Sequence, residues 1–142
     1  MRRRRPIPGR LRQAVAERAG HRCSYCRSPE MVGVPMAIDH IIPLKVGGSS
    51  DFDNLCLACY RCNEFKGAKT EAPDPSTGEL TPLFDPATQQ WYDHFTWSED
   101  GLLIIGKTPS ARATIEALRL NSDWIVQARR IWIRAGLHPP LE

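Results

Sequence analysis

Apolar residues along the first half of the chain change period twice. Leu11, Ala14, Val15 and Ala19 fall on one side of a helix, so residues 10–19 are expected to form a short helix stopped by Gly20, with Arg12 and Arg18 facing outward. Residues 36–42 suit a strand closed by Pro43. Gly47, Gly48, Ser49 and Ser50 mark an extended loop leading to a second short strand at 55–57, and a helix from Tyr60 to about Lys66 should end near Gly67. Residues 71–86 hold four prolines and Gly78 and are expected to be a linker wrapping the surface. Segments 91–97 and 102–107 flank a four-residue turn from Ser98 to Gly101 and read as a β-hairpin. Thr108 as N-cap with Pro109 behind it starts one helix, and another runs from about Asp123 to Ala135. In the last helix Trp124, Ala128, Ile131, Trp132 and Ala135 share the expected core face, with Arg129, Arg130 and Arg134 off it. His94, beside Phe95, reads as structural.

With 142 residues the chain has room for one domain with appendages. The expected layout is a flexible basic arm at 1–9, a core unit at 10–70, the linker at 71–86, and a hairpin with two helices at 87–142 packed on the core. No stretch is apolar enough to span a bilayer, and Arg2, Arg3, Arg4 and Arg5 run into Pro6 and Pro8 without the apolar segment of a signal peptide. The expected compartment is therefore the cytoplasm, and no membrane or small-molecule cofactor is expected. The formal net charge of +3 is unevenly spread, because residues 1–27 carry nine arginines against Glu17 alone. A basic end on a mildly acidic body suits an anionic polymer, whose phosphates release counterions on binding. The Arg2–Arg5 run can equally be a solvated arm.

Five cysteines in a reducing compartment favour metal ligation over disulfides. Cys23 with Cys26 and Cys59 with Cys62 form two C-x-x-C knuckles, and two knuckles donating two thiolates each deliver the tetrahedron that structural zinc requires. Cys56 and Cys59 make an overlapping C-x-x-C. The pair Cys59 and Cys62 is preferred because Cys62 then lies at a helix start, where the dipole favours a thiolate. Cys56, between Leu55 and Leu57, reads as a small buried strand residue.

Between the knuckles stands Ile38, Asp39, His40, Ile41, Ile42 and Pro43, followed by Asp53 and Asn54; Asn63 and Lys66 follow the second knuckle. An apolar strand interrupted by adjacent Asp and His breaks its own pattern, as functional sites do. Taken together and in this order, over about residues 11–67, the residues resemble the HNH nuclease family, also described as the ββα-metal fold. Asn63 stands where the family name implies a histidine, a variant known in the family.

The resemblance implies an α+β fold with a ββα-metal core of treble-clef-like form around a four-cysteine zinc site. It also implies an endonuclease that hydrolyses DNA phosphodiester bonds. Asp39 and Asn63 would hold Mg²⁺ or a similar divalent ion through oxygen ligands, and His40, with an ordinary pKa of about 6.5, would be the general base. Asn54 would brace the long loop and orient the histidine backbone. Lys66, on the face of Asn63, is expected as a surface lysine beside DNA, with Arg12 and Arg18 as further nucleic-acid contacts. The alternatives are a non-catalytic zinc module that docks on nucleic acid or protein, which needs only the cysteines and the basic arm, and a redox switch using Cys56.

Overall fold

A computed structural model describes residues 6–140, so the Arg2–Arg5 run and its expected DNA contacts lie outside the described residues. Leu11 and Val15, one helical turn apart, anchor α1 (Gly9–Arg18) on a strand pair formed by β1 (Met36–His40) and β2 (Leu55–Cys59). The helix starts within the expected arm, and Ile7 packs on the cluster of Val15, Leu55 and Leu57 instead of trailing in solvent.

The two strands are antiparallel, with Asp39 opposite Cys56 and His40 opposite Leu55. Side chains alternate across a strand pair. Met36, Ile38, Leu55 and Leu57 accordingly form the face that α1 covers, while Cys56 and Ala58 face the larger core. β2 runs directly into α2 (Tyr60–Lys66), which stops at Gly67 with φ +54°. Strand, strand and helix make the ββα unit within an α+β chain.

Residues 71–86 are not a plain linker. They carry a small hairpin of β3 (Glu71–Pro73) and β4 (Leu80–Pro82), and Leu83 and Phe84 enter the core. The prolines sit at the margins of these three-residue strands, where no ladder donor is missed. One turn of helix α3 (Trp91–His94) then leads into the antiparallel pair β5 (Phe95–Trp97) and β6 (Ile104–Gly106). His94 bonds the Thr108 hydroxyl at 2.8 Å.

Thr108 caps α4 (Pro109–Leu118) through the Ala111 amide. In α5 (Asp123–Arg134) the buried stripe is Ile125, Arg129 and Trp132, while Trp124 is 78% and Ile131 65% exposed. The expected face is therefore corrected by about a third of a turn. Its centre is Arg129, whose guanidinium donates to the Leu102 carbonyl at 2.8 Å, the Asn121 side chain at 3.0 Å and the Leu120 carbonyl. No helix among the described residues is long and apolar enough to cross a membrane.

Candidate metal centre and active site

The first knuckle is a tight turn in which the Cys23 amide donates to the Ser28 carbonyl and the Arg27 amide to the Cys23 carbonyl, each at 2.9 Å. The second lies where β2 becomes α2. Cys59 is the N-cap of α2, and its sulfur accepts from the Cys62 amide at 3.5 Å. All four Sγ atoms lie within 4.8 Å of one another, and Cys26 and Cys59 approach to 3.7 Å. A tetrahedral ion with metal–sulfur bonds of about 2.3 Å sets its sulfurs roughly 3.8 Å apart, so the donor set fits zinc. Burial pushes the Cys23 thiol up, while hydrogen bonding from Cys23 pulls Cys26 and Cys59 down. Cys56 stands outside the cluster. It lies beside Tyr25 and Asp39, and burial raises its pKa far above the ordinary value.

Asp39 and His40 occupy the last two positions of β1 and are 5% and 4% exposed. On opposite faces of a continuing strand they would be separated, but the strand ends here and both line one cavity of about 220 Å³ together with Asn63, Pro43 and Gly67. His40 Nε2 meets the Ser50 hydroxyl at 3.0 Å. Asp39 Oδ2 accepts from the Tyr25 hydroxyl at 3.1 Å and from the Lys66 ammonium at 3.1 Å. Burial raises the Asp39 pKa above the usual carboxylate value, against the pull of Lys66 and of the Tyr25 and Cys56 hydrogen bonds.

Asn54 ties the loop that leaves the strand. Its Oδ1 accepts from the Ile42 amide at 2.8 Å, and its Nδ2 donates to the Ile42 carbonyl at 2.9 Å and the Ser49 carbonyl at 2.7 Å. Gly48 completes this brace. A Cβ there would fall 1.7 Å from the Ile42 carbonyl oxygen, so only glycine allows the loop to close on the strand end.

One expectation is corrected by these contacts. Lys66 is not a surface lysine: it is 1% exposed, and its ammonium also donates to the His40 carbonyl at 3.1 Å. Arg18 is exposed on α1, as expected. Its guanidinium donates to the Phe52 carbonyl at 3.0 Å and to the Leu55 carbonyl, and stacks on the Phe52 ring, so it braces the turn that presents Asn54. Arg12 is exposed on α1. Sequence reasoning passed over Tyr25 and Ser50. Tyr25 lies between the first two cysteines, where an aromatic residue has reason to turn inward; Ser50 carries no local signal at all.

Asp39, His40 and Asn63 thus share one cavity beside the four-cysteine cluster, with Asn54 bracing the adjoining loop. Residues 23–69 match the family model of HNH endonuclease. This HNH segment spans under half the chain and coincides with the knuckles, both strands and α2. It supports a nuclease-type function and a nucleic-acid substrate in general terms. No curated protein and no solved structure matches the chain.

Proposed function

We propose that this chain is a metal-dependent endonuclease that hydrolyses DNA phosphodiester bonds, with His40 as general base. The observation that carries the reading is the common cavity of Asp39, His40 and Asn63. The donor chemistry fits a hard divalent ion, since a carboxylate and an amide offer oxygen and leave room for water and phosphate. When bound, an ion such as Mg²⁺ supplies positive charge to the phosphate oxygens and the departing oxygen.

The protein's own part is positional and acid–base. Ser50 fixes the His40 ring through Nε2, and Asn54 fixes the loop that carries Ser50. The imidazole takes a proton from water as the water oxygen bonds to phosphorus; the bond from phosphorus to O3′ breaks, and O3′ leaves with the electron pair and gains a proton. Asp39 and Asn63 would hold the ion, and the four cysteines would hold a zinc whose role is structural. Exposed Arg10, Arg12, Lys45 and Lys69 support a phosphate-bearing partner.

The test is nicking of supercoiled plasmid with Mg²⁺. His40→Ala should keep zinc, fold and DNA binding while losing cleavage by about 10²-fold or more. Asn63→Ala should lose cleavage and partly regain it at high Mg²⁺. Full activity in His40→Ala would overturn the assignment of the base, and zinc loss in that variant would put the histidine on the other metal.

A further inference from the structure

Among the described residues, Lys66 is the cation placed directly against the Asp39 carboxylate, and it is held there by that carboxylate and one main-chain carbonyl. Nζ lies 3.1 Å from Asp39 Oδ2, 3.4 Å from Oδ1 and 3.1 Å from the His40 carbonyl oxygen. The side chain is 1% exposed, so the ammonium does not exchange these oxygens for water. It approaches from within the fold: Lys66 is not part of the wall of the cavity that Asp39, His40 and Asn63 line. Asp39 Oδ2 is taken up by Tyr25 and Lys66, which leaves Oδ1, with its longer contact, as the oxygen available to a second cation.

We propose that Lys66 neutralises the metal site from behind, so that the divalent ion binds firmly only when DNA contributes the negative charge of the scissile phosphate. The inference rests on the reading of Asp39 and Asn63 as the ion's holders. Asn63 brings no charge, and the single carboxylate is already balanced by an ammonium. A divalent ion entering the protein alone meets a neutral pair and the repulsion of a fixed cation one carboxylate away. With a phosphate present the site would offer a second negative charge to the ion, while Lys66 keeps the carboxylate in place. Metal loading is therefore coupled to substrate.

The test uses zinc-loaded full-length protein carrying His40→Ala, so that DNA stays intact, with free Mn²⁺ measured by electron paramagnetic resonance at about pH 8, alkaline enough to hold a carboxylate ionised. Without DNA this protein should bind Mn²⁺ weakly. Adding Lys66→Met should tighten Mn²⁺ binding about tenfold or more, the scale expected when a unit charge beside a divalent ion is removed. Lys66→Arg, which keeps the charge, should remain weak.

A second measurement needs no change at Lys66. Short duplex DNA should raise Mn²⁺ affinity about tenfold or more, and Mn²⁺ must then raise DNA affinity by the same factor. Equal Mn²⁺ affinity with and without DNA, or weaker binding in a folded Lys66→Met protein, would overturn the proposal and leave the nuclease reading standing. Mn²⁺ binding in no variant, with DNA or without it, would overturn the metal site itself and this proposal with it.

Discussion

Replacing Asn54 with alanine should loosen the loop of residues 43–53 without releasing zinc. The change removes three hydrogen bonds, from the Ile42 amide at 2.8 Å and to the Ile42 and Ser49 carbonyls at 2.9 and 2.7 Å. A neutral hydrogen bond contributes about 1 kcal/mol net. Because Ile42 is 48% exposed, water recovers part of the loss, leaving about 1–2 kcal/mol of weakened closure. That corresponds to a rise of about five- to thirtyfold in the open fraction of the loop.

Hydrogen exchange reads this at two amides whose bonds the substitution does not itself delete. The Ile41 amide donates to the Asn54 carbonyl at 2.9 Å, and the Gly48 amide to the Pro43 carbonyl at 3.0 Å. Both should exchange about tenfold faster. Plasmid cleavage should fall by up to a similar factor, since the loop carries Ser50 against His40. Ser50→Ala, which removes the histidine contact and leaves the brace, should lower cleavage without accelerating those amides. Unchanged exchange at Ile41 and Gly48 in Asn54→Ala would refute the reasoning.

Cys59→Ser should abolish binding of about one zinc per chain and unfold or aggregate the protein, whereas Cys56→Ser should retain zinc by elemental analysis, because Cys56 stands outside the sulfur cluster. Arg129→Met should lower stability by about 1–3 kcal/mol, because it leaves the buried Leu120 carbonyl and the partly buried acceptors at Leu102 and Asn121 without their donor; an unchanged melting temperature would contradict this. Stability should also decline as pH falls below about 6.5 through His138. Its pKa is lowered by burial, so the fold prefers the neutral ring: the contribution is complete above the unfolded value and is lost as pH drops through the depressed folded value. His138→Gln, which keeps an amide donor for the Gly101 carbonyl, should show a shallower loss of melting temperature between about pH 7.5 and pH 5 than wild type.

The ββα unit was legible in the sequence because each part of it is encoded locally. Gly67 stops α2 at the residue where the helical pattern fails, and Pro43 follows a strand that must end for Asp39 and His40 to share a cavity. Two knuckles of fixed spacing named the four sulfurs that the fold gathers within 4.8 Å of one another. The hairpin of residues 71–82 was hidden because prolines mark breaks far more often than three-residue strands, and its neighbours Leu83 and Phe84 give no periodic signal.

The two buried cations were hidden for a different reason. A lysine or arginine on a helix normally keeps its charge in water, so sequence reading placed Lys66 and Arg129 outside. What buries each is a set of oxygens supplied from distant positions. Lys66 meets Asp39, 27 residues away, and Arg129 meets the carbonyl of Leu102, also 27 residues away. Neither set can be seen in the helix that carries the cation. The two sets nevertheless differ in kind: Lys66 pairs directly with a carboxylate, whereas Arg129 hydrogen-bonds neutral carbonyl and amide oxygens and feels the charge of Cys26 and Cys62 without bonding them, its pKa lowered by burial to about 10. A buried ion whose partner is a charged site residue governs what that residue can bind, while one whose partners are main-chain oxygens stitches segments together. On that distinction Lys66 belongs to the site and Arg129 to the scaffold that joins α5 to the residues around β6.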